Sequence, residues 1–261
     1  MSEPDERHDL HGLSLELDEA LLALDELGSE DPEDAITMFG TLPEPVQQLP
    51  AFVLALARLH QASGALKRAR KLAETVITTE TGAAASPGAA SDDQQAVLLA
   101  DAHHLLGDVL EDLDEPDLAN QHFLSCLQAD EKLFKERSGA QAEELRDRLA
   151  ELLEETVQQL PEEVRPRIQS AERKVALFPS AQQVKKGMDP RALGVWLSEG
   201  SSQQNQLVLF AANVEAEYGD LDEFGELVPQ VRQAIFDMII EHLGLNEPES
   251  QRLGLLENSD E

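Results

Sequence analysis

Apolar residues at helical spacing dominate the first two-thirds of the chain. Residues 13–27, LSLELDEALLALDEL, set Leu and Ala three and four apart among acidic residues. That pattern predicts an amphipathic helix, with Ser14 as N-cap and Gly28 as stop. Asp31 before Pro32 predicts the next helix start, because Pro is pre-set for the first turn and gives up a donor that has no partner there. The same period predicts helices over 44–62, 65–79, 92–113, 116–135, 140–159 and 162–174. Connectors such as Ser63-Gly64 and Asp114-Glu115-Pro116 are short. Helix–turn–helix units of this size build α-solenoids. Residues 1–11 carry charge without an apolar period and are expected to be disordered.

The pattern changes from Leu160. LPEEV predicts a helix start at Pro161, and Phe178-Pro179-Ser180 ends that helix or opens an extended segment. Residues 206–211, QLVLFA, are short, apolar and preceded by the polar SSQQNQ, and read as a strand. An acidic linker is expected over 215–226. An apolar helix follows at 231–244, VRQAIFDMIIEHLG. Asp237 and Glu241 are four apart there and lie on one side, with His242 adjacent. Metal-binding helices space their ligands at i and i+4 in this way.

The helical part repeats. Leu106-Gly107 is followed by Leu110, Ala119 and Phe123; Leu56-Ala57 is followed by His60, Ala69 and Ala73 at the same offsets. Small residues where two helices touch, with bulky ones between, resemble tetratricopeptide repeats, without their usual Trp and Tyr. Ala69 and Ala119 are 50 residues apart, longer than the repeat's ~34. A flexible insert over 81–93, TGAAASPGAASDD, accounts for the excess. The resemblance implies a groove that takes a partner segment. The basic cluster Arg58, Lys67, Arg68, Arg70 and Lys71 is either a solvated face or a groove lining that receives an acidic tail. Neighbouring His103 and His104 point about 100° apart on a helix and do not readily chelate one metal; one is expected in packing and the other at the surface.

The C-terminal order is LPEEV, a D-P-x-x-L-G-x-W-x-x-x-G element, a strand, an acidic linker and a helix ending E-H-L-G-L-N-E. It resembles the minimal zincin-like metallopeptidase domain of bacteria over about 160–256. The framing residues are Leu193-Gly194, Trp196, Gly200, Val208-Leu209-Phe210, Gly244 and Arg252-Leu253-Gly254. The family's last long helix carries H-E-x-x-H-x-x-G-x-x-D/E. On that alignment Asp237 stands at the first His, Met238 at the general-base Glu, Glu241 at the second His and Glu247 at the third ligand. His242 is an extra residue and a possible alternative ligand. Zinc hydrolysis needs nitrogen or sulfur ligands and a base for the bound water, and Met238 cannot take a proton. Carboxylates alone suit a hard cation such as Ca²⁺ or Mg²⁺ better than zinc. Three readings stand: a metal-free remnant, a carboxylate-rich divalent-cation site, and a divergent peptidase.

Composition narrows the partners. A formal net charge of -32, from 52 acidic side chains, argues against nucleic acid and against anionic membrane surfaces. It serves solubility or attracts basic proteins. Aromatic residues make up 4% of the 261, which favours helical cores of Leu, Ala, Val and Ile. The lone Cys126, in FLSCLQ, excludes an intramolecular disulfide and is expected in the core. No Gly-rich phosphate loop, G-x-S-x-G or C-x-x-C is present. The N-terminus lacks the regions of a signal peptide and no apolar run approaches the ~18 residues of a membrane span, so a cytoplasmic location is expected.

The expected fold is mainly α. An acidic segment with one amphipathic helix (1–29) precedes a tetratricopeptide-like solenoid (30–158), a small α+β zincin-like domain (159–256) and a tail (257–261). The expected function is a non-catalytic scaffold for a protein or peptide partner, without a cofactor. The alternatives are a divergent metal-dependent peptidase and an acidic, chaperone-like partner for basic proteins.

Overall fold

The computed structural model describes residues 6–83, 92–198, 205–219 and 224–255. The chain is mainly helical with a small sheet and divides into two compact units between Asp130 and Glu131.

The first unit contains α1 (Glu6–Glu30), α2 (Pro32–Phe39), α3 (Glu44–Gln47), α4 (Pro50–Ala62), α5 (Leu66–Ala83), α6 (Asp92–Asp112) and the first part of α7 (Pro116–Arg137). Of the segment expected to be disordered, residues 6–11 are helical in α1, and residues 1–5 lie outside the described residues. Asp31 caps α2 by accepting from the Glu33 and Asp34 amides at 3.0 and 3.1 Å, ahead of Pro32. The single helix expected over 44–62 is broken. Pro50 disfavours helical backbone at the preceding residue, and Leu49 is extended (φ -65°, ψ 133°). α1 packs on α2 and α4, α4 on α5, and α5 on α6. Leu24, Ala35, Phe39, Phe52 and Leu59 form one core of this unit. Cys126 is fully buried, as expected of a small core residue. Most of the expected insert, residues 84–91, lies outside the described residues, since α5 runs to Ala83 and α6 starts at Asp92.

Two helix pairs share one turn. In α4–α5 the Ala65 amide donates to the His60 carbonyl at 2.7 Å and the Gly64 amide to Gln61 at 2.8 Å. Fifty residues on, in α6–α7, Glu115 donates to Leu110 at 2.8 Å and Asp114 to Glu111 at 2.9 Å. The residue that must turn left-handed is Gly64 (φ 76°) in one and Asp114 (φ 62°) in the other. Gly and Asp are among the side chains that tolerate that backbone best. The offset noticed in the sequence is therefore also a backbone offset.

The second unit contains α8 (Ala142–Gln159), α9 (Arg165–Gln169), β1 (Glu172–Ala176), α10 (Ala181–Val184), β2 (Gly194–Ser198), β3 (Asn205–Phe210), α11 (Ala211–Tyr218), α12 (Phe224–Leu243) and α13 (Glu247–Arg252). The sheet order is β1-β3-β2. β3 runs parallel to β1, with Val208 opposite Lys174, and antiparallel to β2, with Leu207 opposite Trp196. Being central, β3 is buried over its last four residues. The expected helix over 162–174 is corrected: α9 stops at Gln169 and Glu172–Ala176 is a strand. The expected boundary at 158/159 moves as well. Leu145, Leu149, Leu152, Leu153 and Val157 of α8 share one core with Leu207, Leu209, Ile235 and Ile239. α8 packs on β1, α11 and α12, so it belongs to this unit. Part of the expected acidic linker is helix α11; residues 220–223 of it, Gly200 to Ser202 and the tail lie outside the described residues.

Candidate functional site

The first unit carries a cleft of 490 Å³ lined from three helices. α1 supplies Leu21, Leu22, Leu24 and Asp25; α4 supplies Ala51, Leu54, Ala55, Arg58 and Leu59; α6 supplies Leu98 and Asp101. The stripe of α1 that meets its neighbours holds Leu17, Ala20, Leu21, Leu24 and Leu27. Leu22 falls off that stripe and is 65% exposed, a large apolar side chain at the cleft with no core to enter. Arg58 is the one basic residue of the lining among the described residues, and its guanidinium meets the Asp101 carboxylate at 3.3 Å. Asp25 is exposed on α1, as are Glu19 and Glu26. The cleft therefore has an aliphatic floor, one neutralised ion pair and an acidic edge.

The expected basic cluster does not assemble there. Of its five members, only Arg58 lines the cleft. Lys67, Arg68 and Lys71 are exposed on α5. Arg70 is committed to Glu74 at 2.9 Å and to Glu115 of the next turn at 2.9 Å, and these two carboxylates hold its guanidinium more firmly protonated. Arg58 lies on α4 and the other four on α5, so proximity along the chain overstated the cluster at the cleft. What the sequence reading missed is the contribution of α1 and α6. The available signal was Leu22, an apolar residue out of step with its helix's own stripe.

The α12 positions separate. Asp237 and Glu241 are exposed, and Asp237 accepts a bond from Gln233 Nε2 at 2.8 Å. Met238 turns the other way. Its Sδ would stand 2.6 Å from a Cβ placed on Gly194 of β2, so the glycine leaves the room that the methionine occupies. His242 is half-buried and stacks on Trp196 of β2, with ring centres 3.8 Å apart and planes 16° from parallel. Burial lowers its pKa, and the Arg167 charge adds to the effect. Glu247 is exposed in the first turn of α13, where Gln251 Nε2 donates to it at 3.3 Å. Among the described residues no three His, Cys, Asp or Glu side chains come together in a metal-holding group. The two α12 carboxylates thus face water rather than a cleft beside Val208, which is itself buried. Leu193, Trp196 and Leu253 pack against the core of this unit, as does Met238, and Gly244 follows α12 at φ 62°.

The chain matches no family model, no curated protein and no solved structure.

Proposed function

We propose that this protein is a non-catalytic adaptor whose first unit binds a segment of another protein in the α1–α4–α6 cleft. The concave aliphatic lining of the cleft, continued outward by the exposed Leu22, carries this reading, because a contiguous apolar concavity is the kind of surface a partner covers. The repeated turn and its 50-residue offset support a tetratricopeptide-like pair of hairpins, in which α4 and α6 hold corresponding places. Charge selects the occupant. With Arg58 spent on Asp101, an acidic edge on the cleft and -32 overall, a partner with aliphatic anchors and basic flanks fits. The acidic-tail partner drawn from the basic cluster loses its support.

The second unit is a zincin-like frame without its chemistry. Met238 stands where the general base would be and fills the space above Gly194, while Asp237 and Glu241 turn to solvent. It packs; it does not hydrolyse.

Fluorescence anisotropy with two labelled amphipathic peptides tests the cleft. They share their Leu anchors, and one has Lys and Arg flanks while the other has Glu. The basic peptide should bind and the acidic one should not. Leu22→Asp should weaken binding about tenfold or more, and added salt should weaken it further. Binding that ignores Leu22→Asp sinks the assignment. For the second unit, the purified protein should carry far less than one equivalent of zinc, and a chelator should leave its melting temperature in place. Stoichiometric zinc with chelator-sensitive peptidase activity would overturn the non-catalytic reading.

A further inference from the structure

Two imidazoles meet inside the α6–α7 hairpin. The Nδ1 atoms of His103 and His122 lie 2.9 Å apart. The rings are stacked, with centres 5.2 Å apart and planes 29° from parallel. At that separation one Nδ1 donates and the other accepts, so the contact requires at least one bare nitrogen. Both side chains are half-buried. The charged groups facing them come from α5 and act in opposite directions on His122: Glu74 favours its protonation and Arg70 opposes it. Those two are bonded to each other, so their effects on the rings oppose one another. On α6 itself, His104 pairs with Asp108 at 3.3 Å and lies against the Phe123 ring, while Asp101 pairs with Arg58 of α4. The expectation that one of His103 and His104 is a surface residue is thereby corrected, since both are half-buried.

The first hairpin shows what this position needs for folding alone. Fifty residues earlier, His103 and His122 correspond to Val53 and Leu72, both half-buried and both apolar. The second hairpin replaces an apolar pair with one whose bond depends on protons. Among the described residues no third ligand completes a metal site around it.

We propose that the His103–His122 pair is an acid-released latch between α6 and α7. With at most one proton on the facing nitrogens, the imidazoles tie the two helices together. A second proton sets like charges at hydrogen-bond distance and loosens the hairpin. The direction follows from burial. It pushes His103 down to about 4, with the His122 charge adding to the effect, and it lowers His122 too. Both folded-state values lie below the ~6.5 of an unfolded histidine. The contribution is therefore complete above about pH 6.5 and is lost as pH falls toward 4. α6 also carries Leu98 and Asp101, so acidification would slacken one wall of the cleft. That consequence rests on the cleft reading; the latch does not.

The test compares the full chain with His103→Val/His122→Leu, which copies the first hairpin's pair, from pH 7.5 to pH 5.0. The wild-type melting temperature should fall relative to the variant by roughly 5 °C or more over that range. Hydrogen exchange, corrected for its intrinsic pH dependence, should rise in α6 and α7 of the wild type alone. His103→Asn, polar but not titrating, carries the same comparison if the double variant does not fold. Ring-nitrogen NMR should find one of the two imidazoles still neutral at pH 5. A wild-type-minus-variant difference that stays flat with pH, or two imidazoles titrating together near 6.5, overturns the latch.

Discussion

The α4–α5 and α6–α7 hairpins have the same turn and different fillings. Their turn bonds run between corresponding residues, His60 to Ala65 and Leu110 to Glu115. Behind the turns the pairs diverge. Ala57 and Ala73 of the first hairpin become Gly107 and Phe123 in the second, all of them buried. A Cβ on Gly107 would stand 2.3 Å from the Phe123 ring, so the loss of one methyl makes room for an aromatic side chain across the interface. Val53 and Leu72 become the two histidines. Arg70 becomes Asn120, whose buried Oδ1 has no bonding partner among the described residues. Local backbone chemistry at the turn is held constant, while the interior changes in compensating pairs.

That pairing can be broken in stages. Phe123→Ala should have the largest effect, about 3–5 kcal/mol of the first unit's stability by chemical denaturation, because an aromatic ring leaves a cavity. Gly107→Ala alone should cost about 1–3 kcal/mol through overpacking. Made together, the two changes copy Ala57 and Ala73, and they should cost clearly less than the sum of the singles. Strict additivity would show that the two hairpins do not compensate in this way. The turn gives smaller effects: Gly64→Ala should cost about 1 kcal/mol and Asp114→Gly should stabilise by up to about 1 kcal/mol, since both positions are left-handed. Smallest is Arg70→Ala, which removes partly exposed pairs to Glu74 and Glu115 and should change stability by less than about 1 kcal/mol.

The same division between local and distant chemistry governs what could be read from the sequence. The hairpins were legible because Gly64 and Asp114 punctuate a helical period, and the period lies in the sequence itself. β3 was legible because its apolar run is dense enough to mark a central strand. β1 was not. ERKVA is charged over its first three residues, and as an edge strand it takes its form from the pairing with β3, more than 30 residues away. The break before α4 was missed although Pro50 announces it, because the apolar period continues across the proline. At the candidate sites, helical spacing correctly placed Asp237 and Glu241 on one side of α12. It could not say that this side faces water, which depends on Met238 packing toward Gly194. The His103–His122 contact joins residues 19 apart on two helices, and only the register of the hairpin brings them together.

Residue-resolved hydrogen exchange of the full chain, with and without the basic amphipathic peptide, tests the adaptor reading most directly. Protection should appear in α1 around Leu21 to Asp25, along the cleft face of α4 and near Leu98 of α6, and Leu22→Asp should remove it. Protection confined to α12 and β2, or none in the cleft helices despite measured binding, would contradict it.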